Sequence, residues 1–356
     1  MFPFTGRMKV QAMTIHHMKG ILVTMCTVFA VLAAASCGRE PVPVQGGGRR
    51  SVSFVVDDFR TRASVTLHEA EVASLDVLVF RSDNGTLDNA ARVPAAGGQE
   101  IRSISVELSD GVPLDWYVVA NAPEGVLSFL SESGFQQGLT LLSQSTETSL
   151  LMHGSGFLPE GPVPSIVPVH LERYACKVTL KSLTVDWPDA FTASGEVALG
   201  RIVLVNVAGS TPWSGTPAAG DLWYNKMGIE TGLPPIVEDL ILKDYGGMPL
   251  RQGIAADVES TLYCLPNPTA NNVHSANAPE WSVRNTRIAV EILVGGVPNW
   301  YPVSLPGMRG NHHYVINSLT VKGPGAIGPD YPVEREDIRF AVTVADWDDT
   351  DLPVVY

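Results

Sequence analysis

Ser51-Val52-Ser53-Phe54-Val55-Val56-Asp57 alternates with a period of two, which places Val52, Phe54 and Val56 on one face of a β-strand and Ser53 and Val55 on the other. The same signature, or a short apolar run of strand length, recurs over residues 74–80, 102–108, 115–121, 167–171, 174–185, 197–207, 260–265, 287–294, 300–305, 314–321 and 338–347. Turn residues separate most of these segments, in keeping with 33 glycines and 26 prolines in 356 residues. Helical periodicity is scarce. Residues 125–133 and 236–244 offer a turn or two each, and no long amphipathic helix is present to carry a crossover connection. A parallel α/β fold is therefore excluded in favour of an all-β chain of antiparallel sandwiches. The Pro- and Gly-rich residues 154–168 read as the end of one unit, which divides the body into 51–168 and 169–356.

Upstream of the first strand, Met18-Lys19-Gly20 precedes an apolar run of about 15 residues, shorter than the roughly 20 a transmembrane helix needs. Residues 1–36 read as a secretory signal, with 1–17 as an upstream extension. The run closes in Ala33-Ala34-Ala35-Ser36-Cys37, which resembles a bacterial lipobox, with Ala34 where leucine is more usual. Cys37 is then the expected lipidation site, holding the protein on a membrane leaflet outside the cytoplasm at roughly 0.8 kcal/mol per buried methylene. Residues 37–50, with Gly46-Gly47-Gly48 and two prolines, form a flexible tether. Cys176 and Cys264 remain for the folded body; two buried free thiols are expected, in a compartment that permits a disulfide.

Charge narrows the partners. The net charge is −13, and residues 1–36 carry Arg7, Lys9 and Lys19 but no acid, so the remainder holds 21 basic against 37 acidic groups. A phosphate backbone is repelled by such a surface, which excludes nucleic acid. Catalytic patterns are missing. His153-Gly154-Ser155-Gly156 lacks the spacing of a nucleophile elbow and reads as a loop. His312 and His313 are adjacent, so on a strand they face opposite ways and do not share a metal. Asp346-Trp347-Asp348-Asp349-Thr350-Asp351 lacks the glycine and distal glutamate of a calcium loop and reads as an acidic turn. No enzyme activity, metal or cofactor is expected.

Several landmarks in order carry a family likeness: Leu75-Asp76-Val77-Leu78-Val79-Phe80, Tyr117-Val118-Val119-Ala120-Asn121-Ala122-Pro123, and Leu171-Glu172-Arg173-Tyr174-Ala175-Cys176-Lys177-Val178. Towards the end come Leu262-Tyr263-Cys264-Leu265-Pro266-Asn267-Pro268, Arg309-Gly310-Asn311-His312-His313-Tyr314, Lys322-Gly323-Pro324-Gly325, Tyr331-Pro332-Val333-Glu334 and Val342-Thr343-Val344-Ala345-Asp346-Trp347. In order and spacing they resemble the type V fimbrial subunits, the fimbrillins of Gram-negative anaerobes, and consistency along the chain gives the match its weight.

The resemblance implies two tandem transthyretin-like β-sandwich domains, export as an outer-membrane lipoprotein, and maturation by an arginine-specific protease that removes the first strand. Subunits, identical or homologous, then polymerise into a surface fimbria that contributes to adhesion. The residues that would leave are Val52, Phe54 and Val56, and cleavage is expected after Arg62, with Arg60, Arg50 and Arg49 as alternatives. The C-terminal Leu352, Val354, Val355 and Tyr356 would form the donor strand, with residues 338–347 as an extension. A tip adhesin or anchor subunit of the same family is an alternative role. A glycan- or nutrient-binding surface lipoprotein is another, and would use exposed aromatics, for which Trp213, Trp223-Tyr224 and Trp300-Tyr301 are the candidates, although core packing is their expected place.

Overall fold

The computed structural model describes residues 48–57, 69–94, 100–347 and 354–355. Nine strands build the first sandwich: β1 (Arg49–Val56), β2 (Leu75–Arg81), β3 (Leu87–Val93), β4 (Ser103–Ser109), β5 (Leu114–Ala120), β6 (Leu139–Leu141), β7 (Met152–Leu158), β8 (Ile166–Val169) and β9 (Glu172–Arg173). They form a three-stranded sheet in the order β4-β1-β8 facing a five-stranded sheet β3-β2-β5-β7-β9, with β6 set aside. Between the layers, Val52, Phe54, Leu75, Val77, Val79, Leu114, Trp116, Val118, Val167 and Leu171 close one core. The alternation read from residues 51–57 is realised in full: Val52 and Phe54 are completely buried, Val56 nearly so, and Ser53 and Val55 lie half-buried on the outer face.

The second sandwich continues with β10 (Cys176–Val185), β11 (Val197–Val205), β12 (Val207–Ala208), β13 (Ser210–Pro212), β14 (Trp223–Tyr224), β15 (Leu242–Pro249), β16 (Ala256–Cys264), β17 (Thr286–Val294), β18 (Val297–Leu305), β19 (His312–Val321), β20 (Ile338–Asp346) and β21 (Val354–Val355). Its sheets run β16-β10-β19-β20-β21 and β15-β11-β17-β18. The chain passes between sandwiches after β9, at Tyr174 and Ala175, a few residues beyond the division at 168/169, because Glu172 and Arg173 still pair with His153 and Met152 of β7. Gly48–Tyr356 is one compact unit, and the sandwiches are joined by more than the linker. β6 pairs with β13, the Tyr174 hydroxyl donates to the Trp213 carbonyl at 2.6 Å, and Leu78, Phe80, Phe135 and Leu151 share an apolar cluster with Leu199, Leu204 and Trp213.

Several differences from the sequence reading have local causes. His153-Gly154-Ser155-Gly156 is the body of β7, not a loop. A Cβ on Gly156 would stand 2.5 Å from the Trp116 ring, and one on Gly154 would stand 2.5 Å from the His170 carbonyl oxygen, so the glycines are needed for close packing rather than for a turn. β3 has no alternation to read, since both its faces are partly covered, one through Asn89 donating to the Glu107 carbonyl of β4. β15 is interrupted by Gly246 and Gly247 at positive φ, opposite a register shift between Leu199 and Arg201. Residues 236–244 divide into a helix, Pro235–Ile241, and the start of β15. Two ladders are parallel within otherwise antiparallel sheets, β1 with β8 and β10 with β19, as long connections allow.

On the outer face of the β15-β11-β17-β18 sheet, Asp330 is fully buried with Arg284 and Arg287. Its carboxylate also accepts from the Asn206 amide at 2.8 Å and the Ser275 hydroxyl at 2.5 Å, so one acid ties three loops to the sheet. Asp76 of β2 is less well served. It is fully buried, neither oxygen has a hydrogen-bond donor, and Arg92 lies 3.5 Å away while donating to the Ala122 and Pro123 carbonyls. Burial, only partly opposed by the Arg92 charge, raises the Asp76 carboxyl to about 6. The folded state thus favours the protonated acid, and this group's contribution to stability, full below about pH 4, is lost as pH rises through about 6. Asp76→Asn should flatten the dependence of melting temperature on pH between 4 and 7. At pH 8 it should stabilise the protein by about 1–3 kcal/mol, measured by denaturant unfolding.

Candidate functional site

The site built from the first strand is a slot. β1 is the central strand of its sheet, antiparallel to β4 with Val52 opposite Val106 and Phe54 opposite Ile104, and parallel to β8 with Phe54 opposite Val167. Both its edges are in use: Ser53 N–H donates to the Ser165 carbonyl at 2.9 Å, Val56 N–H to Arg102 at 2.9 Å, and Asp57 N–H to Val169 at 3.0 Å. The Phe54 ring packs 5.5 Å from Trp116 of the opposite sheet. Each such apolar side chain contributes roughly 1.5–3 kcal/mol by burial. Taking β1 out would open a channel one strand wide, floored by Leu75, Val77, Trp116 and Val118 and flanked by unpaired backbone groups of β4 and β8.

The arginines expected to border this strand divide into two groups. Arg49 and Arg50 are the first residues of β1, paired in register with Ser109 and Leu108. Arg49 also donates to the Asp88 carbonyl at 3.0 Å, and Arg50 makes an ion pair with Asp110 at 3.1 Å. Cleavage at either would leave Val52, Phe54 and Val56 in place. Arg60 and Arg62 lie outside the described residues, as do Cys37, Leu352 and Tyr356. Val354 and Val355 form β21, paired with Val344 and Thr343 of β20 at the edge of the second sandwich. β20 itself is only partly buried, with Phe340 45% exposed.

Residues distant in sequence meet where the segment after residue 68 crosses the second sandwich. Glu69 is buried, and its carboxylate accepts from Lys177 Nζ at 2.7 and 2.9 Å, from the Tyr263 hydroxyl at 2.6 Å and from Trp347 Nε1 at 3.3 Å. Burial alone would raise this carboxyl, but the hydrogen bonds from Lys177 and Tyr263 and the Lys177 charge outweigh it and hold the group below its ordinary value. Arg173 donates to the Glu69 carbonyl at 3.1 Å and lies over the Trp347 ring at 4.8 Å, on whose plane Tyr263 also stacks at 5.8 Å. Sequence reasoning missed this cluster. Its one visible sign was Lys177 inside an apolar strand run, since its members are spread from residue 69 to residue 347.

The other residues singled out have structural places. His312 and His313 face opposite ways on β19: His312 bonds the Gly310 carbonyl at 2.7 Å and pairs with Asp346 at 3.2 Å, whereas His313 meets the Thr179 hydroxyl at 2.9 Å. Burial, helped by the Lys177 charge, lowers His313 to about 4. Cys176 and Cys264 are buried thiols opposite each other on β10 and β16. Trp213, Trp223, Trp300 and Tyr301 are buried in the core, and of the candidate aromatics Tyr224 alone is partly exposed. No group of three His, Cys, Asp or Glu that could hold a metal occurs among the described residues, and no helix among them is long and apolar enough to cross a membrane.

Comparison with known proteins places this architecture. The fold is that of a candidate cell adhesion protein from Bacteroides eggerthii DSM 20697 (TM-score 0.61, 17% identity, covering 85% of this chain and 97% of the other). A second candidate cell adhesion protein, from Parabacteroides distasonis ATCC 8503, is similar at TM-score 0.60 and 17% identity over 86% of this chain and 99% of the other. A fimbrilin (FimA) from Porphyromonas gingivalis W83 is similar at TM-score 0.58 and 15% identity, over 83% and 97% of the two chains. No curated protein matches by sequence. The family model described as major fimbrial subunit protein (FimA) matches residues 51–156, which run from β1 into β7 and include β1 and its antiparallel partner β4 but not β8. Over this stretch the chain is similar to the major fimbrial subunit protein (FimA) family.

Proposed function

We propose that the protein is a structural subunit of a cell-surface fimbria, built by exchanging strands between copies or homologues and contributing to adhesion. The observation that carries this reading is the position of β1. A strand that closes the middle of a sheet and fills the core with Val52, Phe54 and Val56 is joined to the body by a segment containing Arg60 and Arg62, so one cut there separates it covalently from the groove it occupies. A second strand offering apolar residues at every other position can then take its place, gaining backbone pairing along β4 and β8 and burial of alternate side chains. In the tail, Leu352, Val354 and Tyr356 repeat the spacing of Val52, Phe54 and Val56.

In the full proposal the precursor is exported as a lipoprotein acylated on Cys37 and held on the outer membrane. An arginine-specific protease cuts after Arg62, and the tail with Val355 enters the vacated slot of the next subunit. The match of residues 51–156 to the fimbrial subunit family and the likeness of the fold to a fimbrilin support this sequence of events. Replacing Cys37 with Ala should abolish incorporation of labelled palmitate and leave a heavier precursor; retention of label would sink the lipoprotein step. For assembly, wild type and a variant lacking residues 352–356 are treated with low-dose trypsin and compared on unheated SDS gels, with N-terminal sequencing of the product. Wild type beginning at Ala63 should give a ladder of multimers and the truncated form only monomer. A ladder of equal strength from the truncated form moves the donor to β20, and no ladder from either removes the polymerisation reading.

A further inference from the structure

We propose that Glu69 is a positioning residue that couples maturation to release of the C-terminal strands, an inference that rests on the proposed cleavage after Arg62. Glu69 follows Arg62 closely in the chain, while Trp347, the residue its carboxylate holds, directly follows β20 and precedes the tail. One side chain thus binds both the segment that becomes the new N-terminal region and the root of the segment that must leave. Before cleavage the segment around Glu69 is tethered from both directions. Upstream, β1 is built into its sheet; downstream, Val72 accepts from Ile101 N–H at 3.0 Å and Ala73 N–H donates to the Asn121 side chain at 2.8 Å.

Cutting after Arg62 removes the upstream tether only. Residues 63–69 become a free end, and holding Glu69 in the cluster then costs the ordering entropy of a terminus. When Glu69 leaves, Lys177, 6% exposed, stays behind as a buried cation without its carboxylate, and the Tyr263 hydroxyl and Trp347 Nε1 lose the same acceptor. An ion pair broken on one side destabilises its surroundings far more than an intact pair stabilises them. The cluster therefore changes from a clamp on Trp347 to a site that is relieved when Trp347 moves out. Trp347 N–H is bonded to the Asn311 carbonyl at 2.8 Å, and its ring contacts Arg173 and stacks with Tyr263, so its departure frees β20 from the end at Asp346.

The test is hydrogen exchange, read by mass spectrometry over Ile338–Asp346 in the full-length protein before and after a trypsin cut after Arg62 that N-terminal sequencing confirms. In wild type the cut should speed exchange of this strand at least ~10-fold, as expected when a cooperative unit loses a buried contact. Glu69→Gln should show the fast exchange without any cut. The double variant Glu69→Leu/Lys177→Met removes both charges together and should remain protected before and after cleavage, because no buried ion is left unpaired. Unchanged exchange in cut wild type, protection of uncut Glu69→Gln equal to wild type, or a cleavage response in the double variant would each overturn the coupling. The wild-type comparison alone suffices should a variant fail to fold. Opening of β20 without multimers on unheated gels keeps the coupling and sinks polymerisation, while multimers from a chain whose β20 never opens do the reverse.

Discussion

Everything proposed for this protein depends on one arrangement, a first strand enclosed between two partners that both come later in the chain. An edge strand could be lost with half its backbone pairing unused; β1 has pairing on both sides and three side chains in the core. The sandwich is complete only with β1 in place, which covers its interior. A groove of unpaired N–H and C=O groups over an apolar floor is otherwise a general aggregation hazard. Keeping it filled by a covalently attached strand would confine the hazard to the time after the proposed cut.

The rest of the molecule is stiff where the slot requires it. The two sandwiches share an apolar cluster, a strand pair between β6 and β13, and the bond from Tyr174 to Trp213, and together they form one compact unit. Buried charges are placed where the chain must be located rather than where stability is gained. Asp330 gathers three loops on one sheet, and Glu69 gathers a segment of the first sandwich with β10, β16 and the end of β20. Such groups have a high cost when broken and a modest gain when intact, which suits junctions that should hold or release as a unit. Asp76 is the exception, a buried acid with a distant partner and no hydrogen bonds.

How much of this could be read beforehand follows from the range over which each feature is encoded. Strand faces are local: alternation in residues 51–57 predicts that Val52, Phe54 and Val56 enter the core, because successive side chains on a pleated strand must point to opposite sides. The all-β class, the adjacency of His312 and His313 on opposite faces, and the buried setting of Cys176 follow from the same rule. The landmark order carried the family likeness, which the match over residues 51–156 agrees with. Where alternation is hidden, as in the glycines of β7 and β15 and the evenly half-covered β3, the strand itself was missed.

Pairing was beyond the sequence. That β1 lies between β4 and β8, antiparallel to one and parallel to the other, is a choice among many registers that satisfy the same pattern of faces; only the closed core selects it. The same holds for Glu69, Lys177, Tyr263 and Trp347, four unremarkable residues until four distant segments converge. A buried carboxylate needs donors within hydrogen-bond reach, and which donors arrive depends on tertiary packing and not on neighbours in the chain. Composition and periodicity decided which side of each strand is wet or dry; the tertiary structure decided which dry sides face one another and where a charge can be held among them.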